Sequence, residues 1–222
     1  MKSKAIFLAA VLVMMPFVLH AQWRVGALGG LDYNIHSQDV HYMTDYSVHG
    51  GLGFDGGISG QYSFNKWLGV RADLMFTHKN WNLTRYDLAD IDHFYFNSYL
   101  LLPVMASFSF GGDSPLSGFV NLGGYTGYWI DSHRTGTDVN VLTAKTYAFS
   151  EKIALNAEKD NRLDAGAVAG LGMEYRWHKH WAAQMETRCY YSVASQVKEY
   201  MKVKDYRYDT TVALHVGIFY IF

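Results

Sequence analysis

Hydrophobic positions in this chain recur with a period of two. From Leu163 to Trp177 one set of alternate positions carries Leu163, Ala165, Ala167, Ala169, Leu171, Met173, Tyr175 and Trp177, and the other carries Asp164, Gly166, Val168, Gly170, Gly172, Glu174 and Arg176. Successive side chains of a strand point to opposite faces, so a strand keeps these two sets apart and a helix would scatter them. The last segment repeats the pattern, with Thr210, Val212, Leu214, Val216, Ile218, Tyr220 and Phe222 against Asp209, Thr211, Ala213, His215 and Gly217. Trp181, Ala183, Met185, Cys189 and Tyr191 likewise oppose Gln184, Glu186, Arg188 and Tyr190. The alternation predicts eight strands: Trp23–Tyr33, His49–Phe64, Trp67–His78, His93–Phe110, Gly118–Ile130, Arg162–Trp177, Trp181–Ser192 and Asp209–Phe222. Each is long enough to cross a bilayer at a tilt, which takes about 9–11 residues.

The connections alternate as strictly as the residues. Asn65-Lys66, Gly111–Ser117 and His178–His180 are short, whereas 34–48, 79–92, 131–161 and 193–208 are long. An up-and-down meander with one elaborated end has this form, and in transmembrane barrels the short turns face the periplasm. The predicted fold is therefore all-β, an eight-stranded antiparallel up-and-down transmembrane β-barrel.

A soluble barrel with its apolar face turned inward would show the same alternation, so the outward face needs its own argument. The polar face is charged and glycine-rich, holding Arg24, Asp55, Arg71, Asp73, Glu174, Arg176, Glu186 and Arg188, which can pair across a narrow lumen. Trp23, Phe64, Trp67, Phe110, Trp177, Trp181 and Phe222 gather at the short-turn ends, and Tyr33, Phe76, Phe94, Phe96, Tyr128 and Tyr191 near the long-loop ends. Two such aromatic girdles mark the two membrane interfaces. The chain stops on Phe222 after an alternating apolar strand, which resembles the C-terminal signal read by the bacterial barrel-assembly machinery.

The N-terminus agrees with export. Lys2 and Lys4, the apolar run Ala5 to Leu19, and Leu19-His20-Ala21 form a secretory signal, so residues 1–21 are expected to be cleaved and 22–222 to form the barrel domain. No cysteine follows the cut to carry a lipid anchor, and the lone Cys189 has no partner for an intrachain disulfide. With 222 residues, 50% hydrophobic and 18% charged, the chain suits one ordered domain. A net charge of −1 gives no basic footprint for nucleic acid.

Several short segments are familiar in their order: Gly26-Ala27-Leu28-Gly29-Gly30-Leu31-Asp32-Tyr33-Asn34, Tyr99-Leu100-Leu101-Leu102-Pro103-Val104, Leu122-Gly123-Gly124-Tyr125, and Ala167-Val168-Ala169-Gly170-Leu171-Gly172-Met173-Glu174-Tyr175. Together they resemble the PorT-like outer-membrane β-barrel family of Bacteroidetes over essentially the whole mature chain. The sequence departs from that pattern at Leu101, where family members often carry an acidic residue, and in an enlarged 131–161 loop. The resemblance implies fold and location, and some relatives take part in secretion or gliding. It carries over no catalytic residue.

The residues that could carry chemistry lie at the predicted outer mouth: His36, Asp39, His41, Asp45, His49, His78, Asp90, Asp92, His93, Asp131 and His133. Imidazoles and carboxylates suit zinc, but the spacings match no compact metal motif, and no cofactor or metal is expected. Ser192, Tyr191 and His93 could serve a lipid- or peptide-modifying enzyme only if loops converged, and no Gly-x-Ser-x-Gly motif is present. About eight strands enclose just enough room for side chains, so Arg71, Glu174, Arg176, Glu186 and Arg188 read as a packed ion-pair core, with His215 a hydrogen-bonded core histidine. Pro103 inside a strand predicts a bulge. The long loops hold Tyr42, Tyr46, Tyr86, Tyr147, Tyr200, Tyr206 and Tyr208, rigid amphipathic contacts suited to recognition. The expectation is a monomeric, non-catalytic outer-membrane protein with a structural or surface-binding role, lipid around it and an envelope partner at its loops. An enzyme at the outer mouth and a narrow channel stand as alternatives.

Overall fold

The computed structural model describes residues 22–38, 45–85, 91–112, 114–140, 142–143, 145–198 and 207–222. The leader 1–21 and the loop residues Asp39, His41, Tyr42, Tyr86, Asp90, Tyr200 and Tyr206 lie outside them. Ten strands follow in order: β1 (Gln22–Gln38), β2 (Tyr46–Ser63), β3 (Leu68–His78), β4 (Trp81–Arg85), β5 (Asp92–Phe110), β6 (Leu116–Asn140), β7 (Lys145–Lys152), β8 (Leu163–His178), β9 (Trp181–Ser192) and β10 (Arg207–Ile221).

Pairing closes the sheet into a ring. β1 pairs with β2 on one side and β10 on the other, and the antiparallel ladder continues through β9, β8, β6, β5 and β3 back to β2. β3 and β4 hold one register against β5, Thr77 facing Tyr99 and Trp81 facing Tyr95, so they are two parts of one stave. Among the described residues β7 pairs with β6 alone, and it stands outside the ring. With that strand set aside and those two merged, ten strands make the eight staves that the alternation predicts.

The ring is lined with polar groups and coated with apolar ones. Leu31, Leu52, Ile58, Leu171, Met173, Leu214, Val216 and Ile218 are exposed on the outside, while Asp32, Asp55, Arg71, Asp73, Glu174, Glu186, Arg188 and His215 are buried within. A contiguous apolar coat of this extent marks a surface made for hydrocarbon. Trp23, Trp67, Phe110, Trp177, Trp181 and Phe222 ring the short-turn end, with Trp23–Tyr62 and Trp181–Tyr220 contacts joining neighbouring staves. Tyr33, Phe76, Phe94, Phe96, Tyr128 and Tyr191 are exposed towards the other end.

Three expectations need correction. Segment 79–92 is not all loop: the inward alternation of Thr77 continues through Lys79, Trp81 and Leu83, and β4 carries the stave upward to Arg85. Segment 131–161 is not all loop either, since β6 runs on to Asn140 and β7 pairs back along it over Lys145–Lys152, an arm beyond the barrel. Pro103 marks no bulge. Val104 faces Ala72 and Leu101 faces Met75 in unchanged register, while Asp73 and Leu74 are left out of the ladder opposite Pro103 and Leu102. The proline lacks an N–H, so the ladder loses bonds there without gaining a residue. The shift in β5 lies at Ser98/Tyr99, where Ile130 is the extra residue of β6.

Candidate functional site

Inward alternation places the charges of β1, β3, β8 and β9 at neighbouring heights in the lumen. Arg71 donates from Nε to Asp73 at 3.0 Å and its Nη1 lies 3.2 Å from Glu186, while Arg188 Nη2 donates to Glu186 at 2.8 Å. Arg188 Nη2 also stands 2.7 Å from Asp73, a charge contact without hydrogen-bond alignment. Asn121 and Tyr190 complete the group through Glu186 at 2.7 Å and Arg188 at 3.2 Å. Two guanidinium and two carboxylate groups therefore balance, which a buried charge cluster needs because each unpaired ion would cost several kcal/mol. Gly170 makes the room, since a Cβ there would run into the Glu186 carboxylate.

Beside this cluster His215 Nε2 lies 2.5 Å from Asp55. Towards the short turns Glu174 accepts from Arg24 at 2.6 Å, Arg176 at 2.7 Å and Gln184 at 2.7 Å. Leu28, Met75, Leu101, Met105, Val168, Ala213 and Phe219 pack among these groups, and Arg71 lies over the Phe219 ring at 5.1 Å. The cross-section is filled with side chains.

A second polar layer sits under the outer mouth. Lys79, which sequence reading left in a loop, donates to Asp164 at 2.6 Å and lies 5.2 Å and 5.4 Å over the Tyr99 and Tyr125 rings. Asp209 accepts from Asn34 at 3.0 Å and Gln196 at 2.5 Å, and faces His36 Nδ1 at 2.8 Å. Ser195, Gln196 and Val197 are buried, and this stretch is bonded to 156–161 and to the start of β10. Residues 195–197 of the fourth connection are thus packed into the mouth, and Leu155 of the third packs against the core. A signal for Lys79 was present in the continued period of two, but its outward neighbours His78, Asn80 and Asn82 are polar and hide the strand.

The other mouth residues do not converge. His36 is buried and stacked on Trp81 at 4.3 Å, His49 meets Thr84, half-buried His78 meets the Phe54 carbonyl, and His133 meets Ser150. Asp131 pairs with Lys152 at 2.5 Å, and Asp45 takes a positive φ of 68° in a turn. Among the described residues no group of three His, Cys, Asp or Glu side chains is placed to hold a metal. Ser192 donates to Asp164 at 2.6 Å inside the lumen, Tyr191 points outward, and His93 lies on β5 against the arm.

The arm is the exposed surface. β7 is solvent-exposed along nearly its whole length and its outer edge pairs with no strand among the described residues. Arg134 holds it to β6, donating to Glu151 and lying 4.9 Å over Phe149. His93, on the part of β5 above the outer girdle that pairs with the arm, meets Phe149 edge-on at 5.0 Å. Burial first, and then the Arg134 charge, lower its pKa, against the opposing pull of Asp138, Asp92 and Glu151. A lowered histidine pKa means the unfolded arm binds the proton more tightly. The stability this gives is therefore present above the ordinary value of about 6.5 and is lost as pH falls through it. Amide exchange in β7, corrected for intrinsic rates, is expected to accelerate between pH 7.5 and 5.5, and His93→Phe to remove most of that change. An equal acceleration in both proteins would contradict the assignment.

A closed ring with an apolar coat, two aromatic girdles and a charged, packed lumen defines an outer-membrane β-barrel. The chain belongs to the family described as outer membrane protein beta-barrel domain, whose model matches residues 20–197. Among solved structures the chain is similar to the outer membrane protein OprG of Pseudomonas aeruginosa, with 13% identity, 91% of this chain and 97% of that one covered, and a TM-score of 0.52. It is also similar to Neisserial surface protein A, with 12% identity, 90% and 97% coverage and a TM-score of 0.46. Ail, the attachment invasion locus protein of Yersinia pestis, matches with 13% identity, 91% and 99% coverage and a TM-score of 0.46. A search of curated proteins gives no match. The family and fold place the protein in the cell outer membrane.

Proposed function

We propose that this barrel is a non-catalytic, non-conducting surface-interaction protein whose binding element is the β6–β7 arm. The observation that carries the reading is the contrast between a lumen filled by ion pairs and a free strand edge held above the membrane. A strand edge offers unpaired N–H and C=O groups to an extended partner segment, and alternate side chains then give selectivity. In β7 those side chains include Tyr147, with Lys145, Glu151 and Lys152 at the ends.

Within the wider family we place the chain with the PorT-like barrels of Bacteroidetes and a partner in an envelope or secretion assembly. The motifs of that resemblance fall in β1, β5, β6 and β8, so they support a shared wall, and the arm falls in the 131–161 segment where the sequence departs from that pattern. A cleaved leader over 1–21, recognition of the strand ending in Phe222 by the assembly machinery, and a monomeric barrel complete the proposal. Phe222 is exposed and its N–H bonds to the Trp23 carbonyl at 3.0 Å, next to the closing seam.

The test uses two readouts. Liposomes holding the protein should not swell in isotonic arabinose, and a photo-reactive residue at Tyr147 should give discrete protein adducts on intact cells where one at lipid-facing Leu171 gives none. Swelling in the sugar would reject the closed lumen, and the absence of adducts at Tyr147 would reject the arm as the binding element.

A further inference from the structure

At the periplasmic mouth the lumen holds a cavity of about 140 Å³ lined by Gln22, Arg24, Ser63, Lys66, Arg176 and the turn residues Asn65 and Gly112. Among the described residues Arg24 and Arg176 share a single carboxylate, Glu174, and Gln184 already donates to the oxygen that Arg24 uses. Arg24 is 6% exposed, yet its Nε has no hydrogen-bond partner. A buried guanidinium N–H left unpaired costs on the order of 1–3 kcal/mol, and an acceptor in the cavity would recover that. Arg176 presents a side chain 30% exposed at the same cavity, and Lys66 stands on its rim. The residues are set by the fold: inward alternation brings in Arg24 from β1 and Arg176 from β8, which are not paired strands, and the β2–β3 turn supplies Asn65 and Lys66.

We propose that this mouth is a receptor for one oxoanion group, a carboxylate or a phosphate, entering from the periplasm. A planar guanidinium fork pairs with such groups through parallel N–H bonds, and two forks around one cavity select an anion that offers several acceptor oxygens. Chloride, a single spherical acceptor, can meet one fork but lacks the separate oxygens that match two. The site is independent of the arm, lies on the opposite side of the membrane, and would fix the barrel to a periplasmic carboxylate or phosphate carrier.

The arginine Nε–H resonances of the folded, isotopically labelled protein in detergent micelles test this at pH 7. Sodium phosphate and sodium acetate are titrated separately at constant ionic strength against sodium chloride. Arg24 and Arg176 should shift saturably with at least one of the two oxoanions, while Arg188, sealed in the lumen, stays unmoved. Arg176→Gln should weaken the effect about tenfold, the scale of one lost charge-assisted hydrogen bond. That variant leaves Glu174 bonded to Arg24 and Gln184, and its fold is checked by heat-modifiable gel migration. Saturation by phosphate alone points to a phosphorylated carrier such as a lipid headgroup, and saturation by acetate alone to a carboxylate carrier. Shifts that grow linearly and match chloride, or that persist unchanged in Arg176→Gln, overturn the proposal.

Discussion

Arg188→Met is expected to destabilise the folded barrel by about 3–5 kcal/mol, the cost of breaking a buried ion network by removing one partner. Arg188 is fully buried and lies between Glu186 and Asp73, which Arg71 also serves. With the guanidinium gone, two buried carboxylates share one buried cation. Glu186→Gln in the same background restores neutrality and should return more than half of the loss, a coupling measurable by a double-mutant cycle in urea with the heat-modifiable band as readout. If the single variant lost less than about 1 kcal/mol, the lumen would have to be hydrated enough to screen its charges, and the closed reading would fail with it.

Leu171→Arg should cost about 2–4 kcal/mol, whereas Leu142→Arg should change stability by about 0.5 kcal/mol or less. Both leucines are exposed, Leu171 at 68% and Leu142 at 93%, so exposure alone would rank them the other way. Leu171 lies midway along β8 on the apolar coat, while Leu142 lies in the turn that joins β6 and β7. The difference is the solvent each one meets, hydrocarbon for one and water for the other. Unfolding of both variants in lipid vesicles separates the cases. Equal, small effects would mean that the coat does not face hydrocarbon.

Much of this architecture is legible in the chain because a strand exposes its face assignment in a period of two. Arg24, Asp55, Arg71, Asp73, Glu174, Glu186, Arg188 and His215 could be assigned to the lumen by parity alone, and the structure buries each of them. Parity fails where the outward face is polar. Above the outer girdle the outward face is wet as well, so β4, whose Trp81 and Leu83 turn inward, the upper half of β6 and β7 carry no outward apolar stripe and read as loops. Pro103 misleads for a related reason: a missing N–H can be absorbed as a gap in one ladder, and nothing local says whether the chain adds a residue to compensate.

The number of barrel staves, the inward and outward faces, the girdles and the outer-membrane location were therefore determined by the sequence itself, through alternation, loop length and aromatic placement. Tertiary structure alone decided the partners. Arg188 meets Asp73 across 115 residues, Arg24 meets Glu174 across 150, and Lys79 meets Asp164 across 85, because ring closure and register bring distant strands to one height. Which described residues fill the mouth, and how the charges at the periplasmic end pair, depend on that same register, a sum over all the staves that no local window of sequence contains.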